Sequence, residues 1–134
     1  MITEKFVSQG EDVDFTGKLL DYAGDPIDLS AIAYQLYVVI HDAAGTVVKK
    51  FADDNGAPIA TWEVIDIPTP SNGEFRVFLY STETKPLKEG KYYVEVRLKV
   101  LDALYGPDDG SLDVVQPRIY LLSLLNSVIN NLLP

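Results

Sequence analysis

Lys91-Tyr92-Tyr93-Val94-Glu95-Val96-Arg97-Leu98-Lys99-Val100 alternates with almost no error. Tyr92, Val94, Val96, Leu98 and Val100 fall on one side, and Lys91, Tyr93, Glu95, Arg97 and Lys99 on the other. Successive side chains of a strand point to opposite faces, so this stretch predicts a strand that is apolar inside and wet outside. Working outward, residues 12–22 place Val13, Phe15 and Leu19 against Asp12, Asp14, Thr16 and Lys18, and residues 34–41 place Tyr34, Leu36, Val38 and Ile40 on one face. Both read as strands. Residues 74–80 put Phe75, Val77 and Leu79 inward, but Phe78 and Tyr80 on the reverse side are apolar too, which predicts burial on both faces.

Turn chemistry separates these runs. Ala23-Gly24-Asp25-Pro26 closes the first, and Ala43-Ala44-Gly45 joins 34–42 to a strand at 46–51. Asp53-Asp54-Asn55-Gly56-Ala57-Pro58 leads into a strand at 59–67 around Trp62, and Pro68-Thr69-Pro70-Ser71-Asn72-Gly73 precedes Glu74. The loop 81–90 is long enough to cross between two sheets. With a further strand at 112–120, the count is about seven, the number of an immunoglobulin-like antiparallel β-sandwich. The fold class is therefore read as all-β, with Trp62 and Tyr92 expected in the core beside Val64 and Val94.

The last segment changes period. Leu122, Leu125, Ile129 and Leu132 are spaced by three, four and three, with Leu121 and Val128 flanking them, which predicts a short amphipathic helix over 121–134 after a sandwich domain at 1–120. The stripe either folds back on its own sandwich or ties subunits together, in which case Leu122, Leu125, Val128, Ile129 and Leu132 form the interface. Continuation of the β-pattern past Leu122 is the third reading.

Composition excludes more than it names. The 134 residues form one domain, and 20 acids against 11 bases give a net charge of −9, which repels nucleic acid. With no cysteine there is no disulfide, thiolate metal site or cysteine nucleophile. The opening Met1-Ile2-Thr3-Glu4-Lys5-Phe6 lacks a signal-peptide pattern, so synthesis in the cytosol is expected. The apolar block at 119–133 is broken by Ser123, Asn126, Ser127, Asn130 and Asn131 and falls short of the roughly 20 residues of a membrane span.

Candidate chemistry is sparse. His41, the single histidine, has no G-x-S-x-G nucleophile elbow to serve and reads as an edge residue. Asp53-Asp54-Asn55-Gly56, and Asp108-Asp109-Gly110-Ser111 with Asp113, gather oxygen ligands that calcium would accept, but neither has D-x-D-x-D-G spacing, and tight turns recruit the same residues. Gly106-Pro107-Asp108-Asp109-Gly110 has neither the lysine nor the helix start of a phosphate loop. Tyr37, Tyr80, Tyr93 and Tyr105 are the candidate surface aromatics, for which core or interface use is the leading reading and a carbohydrate platform the rival. No catalytic residue, metal or cofactor is expected.

Two stretches carry a family likeness. The first runs Gly10-Glu11-Asp12-Val13-Asp14-Phe15, then Leu19-Leu20-Asp21-Tyr22-Ala23-Gly24-Asp25-Pro26-Ile27-Asp28-Leu29-Ser30, into the strand at 34–40. The second joins Gly73-Glu74-Phe75-Arg76-Val77 to Glu89-Gly90-Lys91-Tyr92-Tyr93-Val94-Glu95-Val96. Together they resemble the immunoglobulin-like N-terminal domain of tailed-phage baseplate upper proteins and related tail proteins, over roughly residues 10–120. The resemblance implies a non-enzymatic virion component in a tail or baseplate, a homo-oligomer touching other virion proteins, with no site residue to transfer. The rival class is a carbohydrate- or calcium-binding adhesion sandwich, and a small hydrolase stands third.

Overall fold

The period-two stretches become strands. A computed structural model describes residues 6–20 and 23–100 in full and the backbone at 4–5 and 120–125. In chain order it contains β1 (Glu4–Ser8), β2 (Val13–Lys18), β3 (Tyr34–Asp42), β4 (Val47–Asp54), β5 (Glu63–Val64), β6 (Glu74–Leu79), the helical turn α1 (Ser81–Thr84), β7 (Gly90–Val100) and β8 (Tyr120–Leu125). Six strands form one sheet in the order β1-β8-β7-β3-β4-β5, and β2 pairs with β6 in a second. Pairing is antiparallel through the middle, while β1/β8 and β4/β5 at the flanks are parallel.

The two sheets face each other across one core. Phe15 and Leu19 from the β2 side and Phe75, Val77 and Leu79 of β6 meet Leu36, Val38 and Ile40 of β3, Phe51 of β4, and Tyr92, Val94, Val96, Leu98 and Val100 of β7. Each such side chain contributes about 1.5–3 kcal/mol when fully removed from water. The connection from β6 through α1 to β7 changes sheet, as the loop at 81–90 predicts. Two packed sheets around one core make an immunoglobulin-like β-sandwich. At the start of β7 the Tyr92 hydroxyl donates to the carbonyl of Lys88 at 2.7 Å, the tyrosine corner of that fold.

The crossover is tied down by polar groups that the apolar pattern does not reveal. The fully buried Thr84 of α1 donates through Oγ1 to the Glu11 carbonyl at 2.8 Å and accepts from the Gly10 amide at 3.1 Å. Gln9 donates to the Leu87 carbonyl, and Asp12 accepts from the Ser81 amide at 2.6 Å. Lys49 reaches from β4 to Glu83 Oε1 at 2.8 Å and to the Phe78 carbonyl at 3.0 Å, joining the large sheet to the small one.

Four expectations change. The expected helix is a strand in its first part: Tyr120–Leu125 pairs with both β1 and β7. Backbone pairing on two sides outweighs a helical spacing that short apolar runs cannot distinguish. Residues 126–134, and 112–119 of the expected seventh strand, lie outside the described residues. The expected strand at 59–67 contracts to Glu63–Val64, because Ala60 takes φ 39° and the Trp62 amide turns back to the Ile59 carbonyl at 2.9 Å. That break changes the phase, so Trp62 is half-buried outside the core and Val64 is 69% exposed, whereas Tyr92 is buried as expected. Finally, β6 is buried on one face only, with Phe78 half-buried and Tyr80 exposed on the other. The strand β1 has no counterpart in the sequence reading.

Gly73 ends the 3₁₀ turn Pro70–Asn72 with φ 66°, and a Cβ there would stand 2.7 Å from the Ile27 carbonyl oxygen and 2.8 Å from that of Leu19. Gly73→Ala should lose at least about 1–3 kcal/mol from its backbone conformation alone. Tyr92→Phe should cost about 1–2 kcal/mol by freeing the Lys88 carbonyl, against roughly 3–5 kcal/mol for Tyr92→Ala. Urea unfolding of the three variants checks both values, and equal losses for the two Tyr92 variants would contradict the corner.

Candidate interaction surface

The strands that fill the core also carry an outer face on the six-stranded sheet. Gln35, Tyr37, Val39 and His41 of β3 lie in register with Lys99, Arg97, Glu95 and Tyr93 of β7, and across β4 with Asp54, Ala52, Lys50 and Val47. All but Ala52 are half-buried or exposed. The face thus holds tyrosine rings and Arg97, residue types enriched at protein interfaces, among the charged Lys50, Glu95 and Lys99.

Two clusters organise it. At one end Tyr37 and Trp62 meet edge to face with ring centroids 5.5 Å apart, Lys50 Nζ lies 4.9 Å from the Trp62 ring, and the Tyr37 hydroxyl donates to Gln35 Oε1 at 3.0 Å. At the other end His41 stacks on Tyr93 at 5.6 Å, with Nε2 2.9 Å from Glu95 Oε1 and Nδ1 2.7 Å from the Asp42 carbonyl oxygen. The hydrogen bond to Asp42 raises the His41 pKa above its usual 6.5, and Glu95 adds to the rise against the opposing effect of burial. Phe6 of β1, 65% exposed, lies in register with Ser123 farther along the same sheet.

The candidate at 53–56 is a tight turn. Asn55 and Gly56 take φ 51° and 91°, and Asp54 and Ala57 exchange backbone hydrogen bonds at 2.8 and 2.9 Å, the geometry that Asn-Gly hairpins supply. Asp53 is buried, and its Oδ2 accepts from the Tyr34 hydroxyl at 2.5 Å and the Gly56 amide at 3.2 Å. Burial first, then Asp53, pushes the Tyr34 phenol well above its ordinary range. No group of three metal-ligating side chains occurs among the described residues. The loop at 106–113 and Tyr105 lie outside them.

Of the sequence-predicted interface, Leu122 and Leu125 are in β8, opposite Tyr92 of β7 and Ser8 of β1. Val128, Ile129 and Leu132 lie outside the described residues. The sequence reading missed Trp62 as a surface residue and the meeting of His41 with Glu95. Only the cross-strand register brings His41 opposite Tyr93, two residues before Glu95.

No family model and no curated protein matches the chain. Among solved structures it is similar to the extracellular domain of the voltage-gated sodium channel beta4 subunit, with TM-score 0.48 and 10% identity over 95% of this chain and 93% of that one. It is also similar to the NK cell receptor Nkp44, with TM-score 0.46 and 12% identity over 95% and 99% of the two chains. A chain from the complex of ICOS with ICOS-L and an anti-ICOS-L VNAR domain gives 0.47 and 16%, covering 94% of this chain and 55% of that one.

Trp62→Ala should cost about 1–2 kcal/mol, since an edge-to-face pair contributes roughly 0.5–1.5 kcal/mol beyond its area. A loss of the 3–5 kcal/mol order of a core aromatic, measured by urea unfolding, would return Trp62 to the interior. Because His41 has its pKa raised on folding, its contribution to stability is complete below 6.5 and disappears as pH rises through the folded value. Denaturation at several pH values should show that loss in the parent and not in His41→Asn.

Proposed function

We propose that this chain is a non-enzymatic structural component of a phage tail or baseplate that works through protein–protein contacts. The observation that carries the contact reading is the outer face of the six-stranded sheet. There Tyr37 of β3, Tyr93 of β7 and Trp62 of the turn before β5 stand half-buried on the same side as Lys50 and Arg97. Aromatic and arginine anchors on a preformed surface provide most of the energy at protein interfaces, because they bury large areas at little entropic cost.

The tail or baseplate assignment is supported by the resemblance of residues 10–30 and 73–96 to the immunoglobulin-like domain of baseplate upper proteins. On this reading the chain is made in the bacterial cytoplasm and works in the virion, among other virion proteins and copies of itself. Leu122 and Leu125 pair inside the sheet as part of β8, and Val128, Ile129 and Leu132 after them supply uncharged apolar residues for self-association.

Sedimentation of the intact chain at micromolar concentration should show an oligomer. Val128→Asp with Ile129→Asp should dissociate it, and Trp62→Ser with Tyr93→Ser should weaken contact with virion partners by about thirtyfold or more, the scale of an interface hot spot. Mass spectrometry of purified particles should find the chain in the tail. Its absence from particles, or specific glycan binding by the same aromatics, would contradict the assignment.

A further inference from the structure

We propose that His41 and Glu95 form a proton-operated clamp between β3 and β7, which holds the β3–β4 turn and the adjoining sheet face in order while both ring nitrogens of His41 carry protons.

The geometry asks for two donors. Nδ1 faces the carbonyl oxygen of Asp42 at 2.7 Å and Nε2 faces a carboxylate oxygen of Glu95 at 2.9 Å. Both partners accept and neither donates when Glu95 is ionised, whereas a neutral imidazole has one N–H and one lone pair. Either neutral tautomer therefore sets a lone pair against an oxygen, and only the imidazolium satisfies both contacts. Tyr93, stacked on the ring, adds a surface that favours the cation. The charged groups acting on the ring are Glu95 from β7 and the Asp42 carboxylate from β3, both negative. From β4 the residue in register is the apolar Val47.

Asp42 is also the hub of the turn. Its carbonyl accepts the Gly45 amide at 3.1 Å, its carboxylate accepts the amides of Ala44 at 2.9 Å and Thr46 at 2.8 Å, and its own amide donates to Thr46 at 3.0 Å. The β3–β4 ladder shifts register between Ile40 and His41, so regular pairing is interrupted where the ring takes hold. Loss of one proton from His41 breaks a contact at Asp42 or at Glu95, and the turn loses its tie to the centre of the sheet. The effect on binding rests on the reading of the outer face as an interface, but the clamp itself does not.

The single histidine makes the test direct. In the intact chain, the ring nitrogen signals of His41 and the protection factors of the Ala44, Gly45 and Thr46 amides are followed by NMR between pH 5 and 9. Self-association of the intact chain is followed by sedimentation on the same samples. His41 should titrate above 6.5, turn protection should fall with the same midpoint, and association should weaken together with it. Glu95→Gln should lower that midpoint, and His41→Gln should leave turn protection flat, with core amides at Leu36 and Val38 unchanged in both. Titration at or below the ordinary value, or turn protection that ignores it, overturns the clamp. A titrating turn with pH-independent association overturns its reach to the face. Absence of association at every pH, with a titrating turn, refutes the interface reading and leaves the clamp standing.

Discussion

The antiparallel pairing of β3 with β7 is the constraint on which the rest of the molecule depends. Its register runs from Tyr34 opposite Val100 to Asp42 opposite Tyr92. Both strands alternate strictly, so one phase of the pairing fills the core with Leu36, Val38, Ile40, Val94, Val96 and Leu98. The other phase sets Tyr37, His41, Tyr93, Glu95 and Arg97 outside. A slip of one residue would exchange the two sets, which fixes the register firmly and makes the outer face a by-product of the core. The proposed binding surface is thus as rigid as the interior behind it.

The small sheet needs other ties. Only β2 and β6 pair in it among the described residues, and a two-stranded sheet is marginal by itself. Apolar packing against β3 and β7 provides most of its stability, and α1 supplies the geometry. Thr84 binds the turn between β1 and β2, Glu83 accepts from the Tyr80 amide at 2.9 Å and from Lys49, and Tyr92 closes the loop onto Lys88. Lys49 is nearly buried along its length, and its Nζ lies against Glu83 Oε1 and 4.7 Å from the centroid of the Tyr80 ring. These contacts join the two layers at one end of the sandwich, the end from which the β3–β4 turn also projects.

How much of this was legible in the sequence follows from the range of each cause. The strands β2, β3, β6 and β7 declare themselves through local alternation, and Asn55-Gly56 declares its tight turn through chemistry confined to two residues. Trp62 misleads because the phase of its segment is reset by a positive φ at Ala60, a residue with no visible turn signature. The stretch 120–125 misleads because Leu-rich runs fit helix and strand alike, and its partners β1 and β7 lie far away in sequence. Parallel pairing with β8 likewise leaves no local trace on Glu4–Ser8. At the candidate surface, Tyr37 and Tyr93 were readable as outward residues, whereas His41 and Glu95 are 54 positions apart and meet only through the register.

The central claim is that this protein meets its partners through the outer face of the large sheet, and side-chain footprinting of the assembled and the free chain tests it most directly. Hydroxyl-radical labelling read by mass spectrometry reports Tyr37, Trp62, His41 and Tyr93 separately from Phe78 and Tyr80 on the opposite sheet. The account predicts that the first group loses reactivity on assembly while the second keeps it. Protection of Phe78 and Tyr80 with the first group unchanged would contradict it.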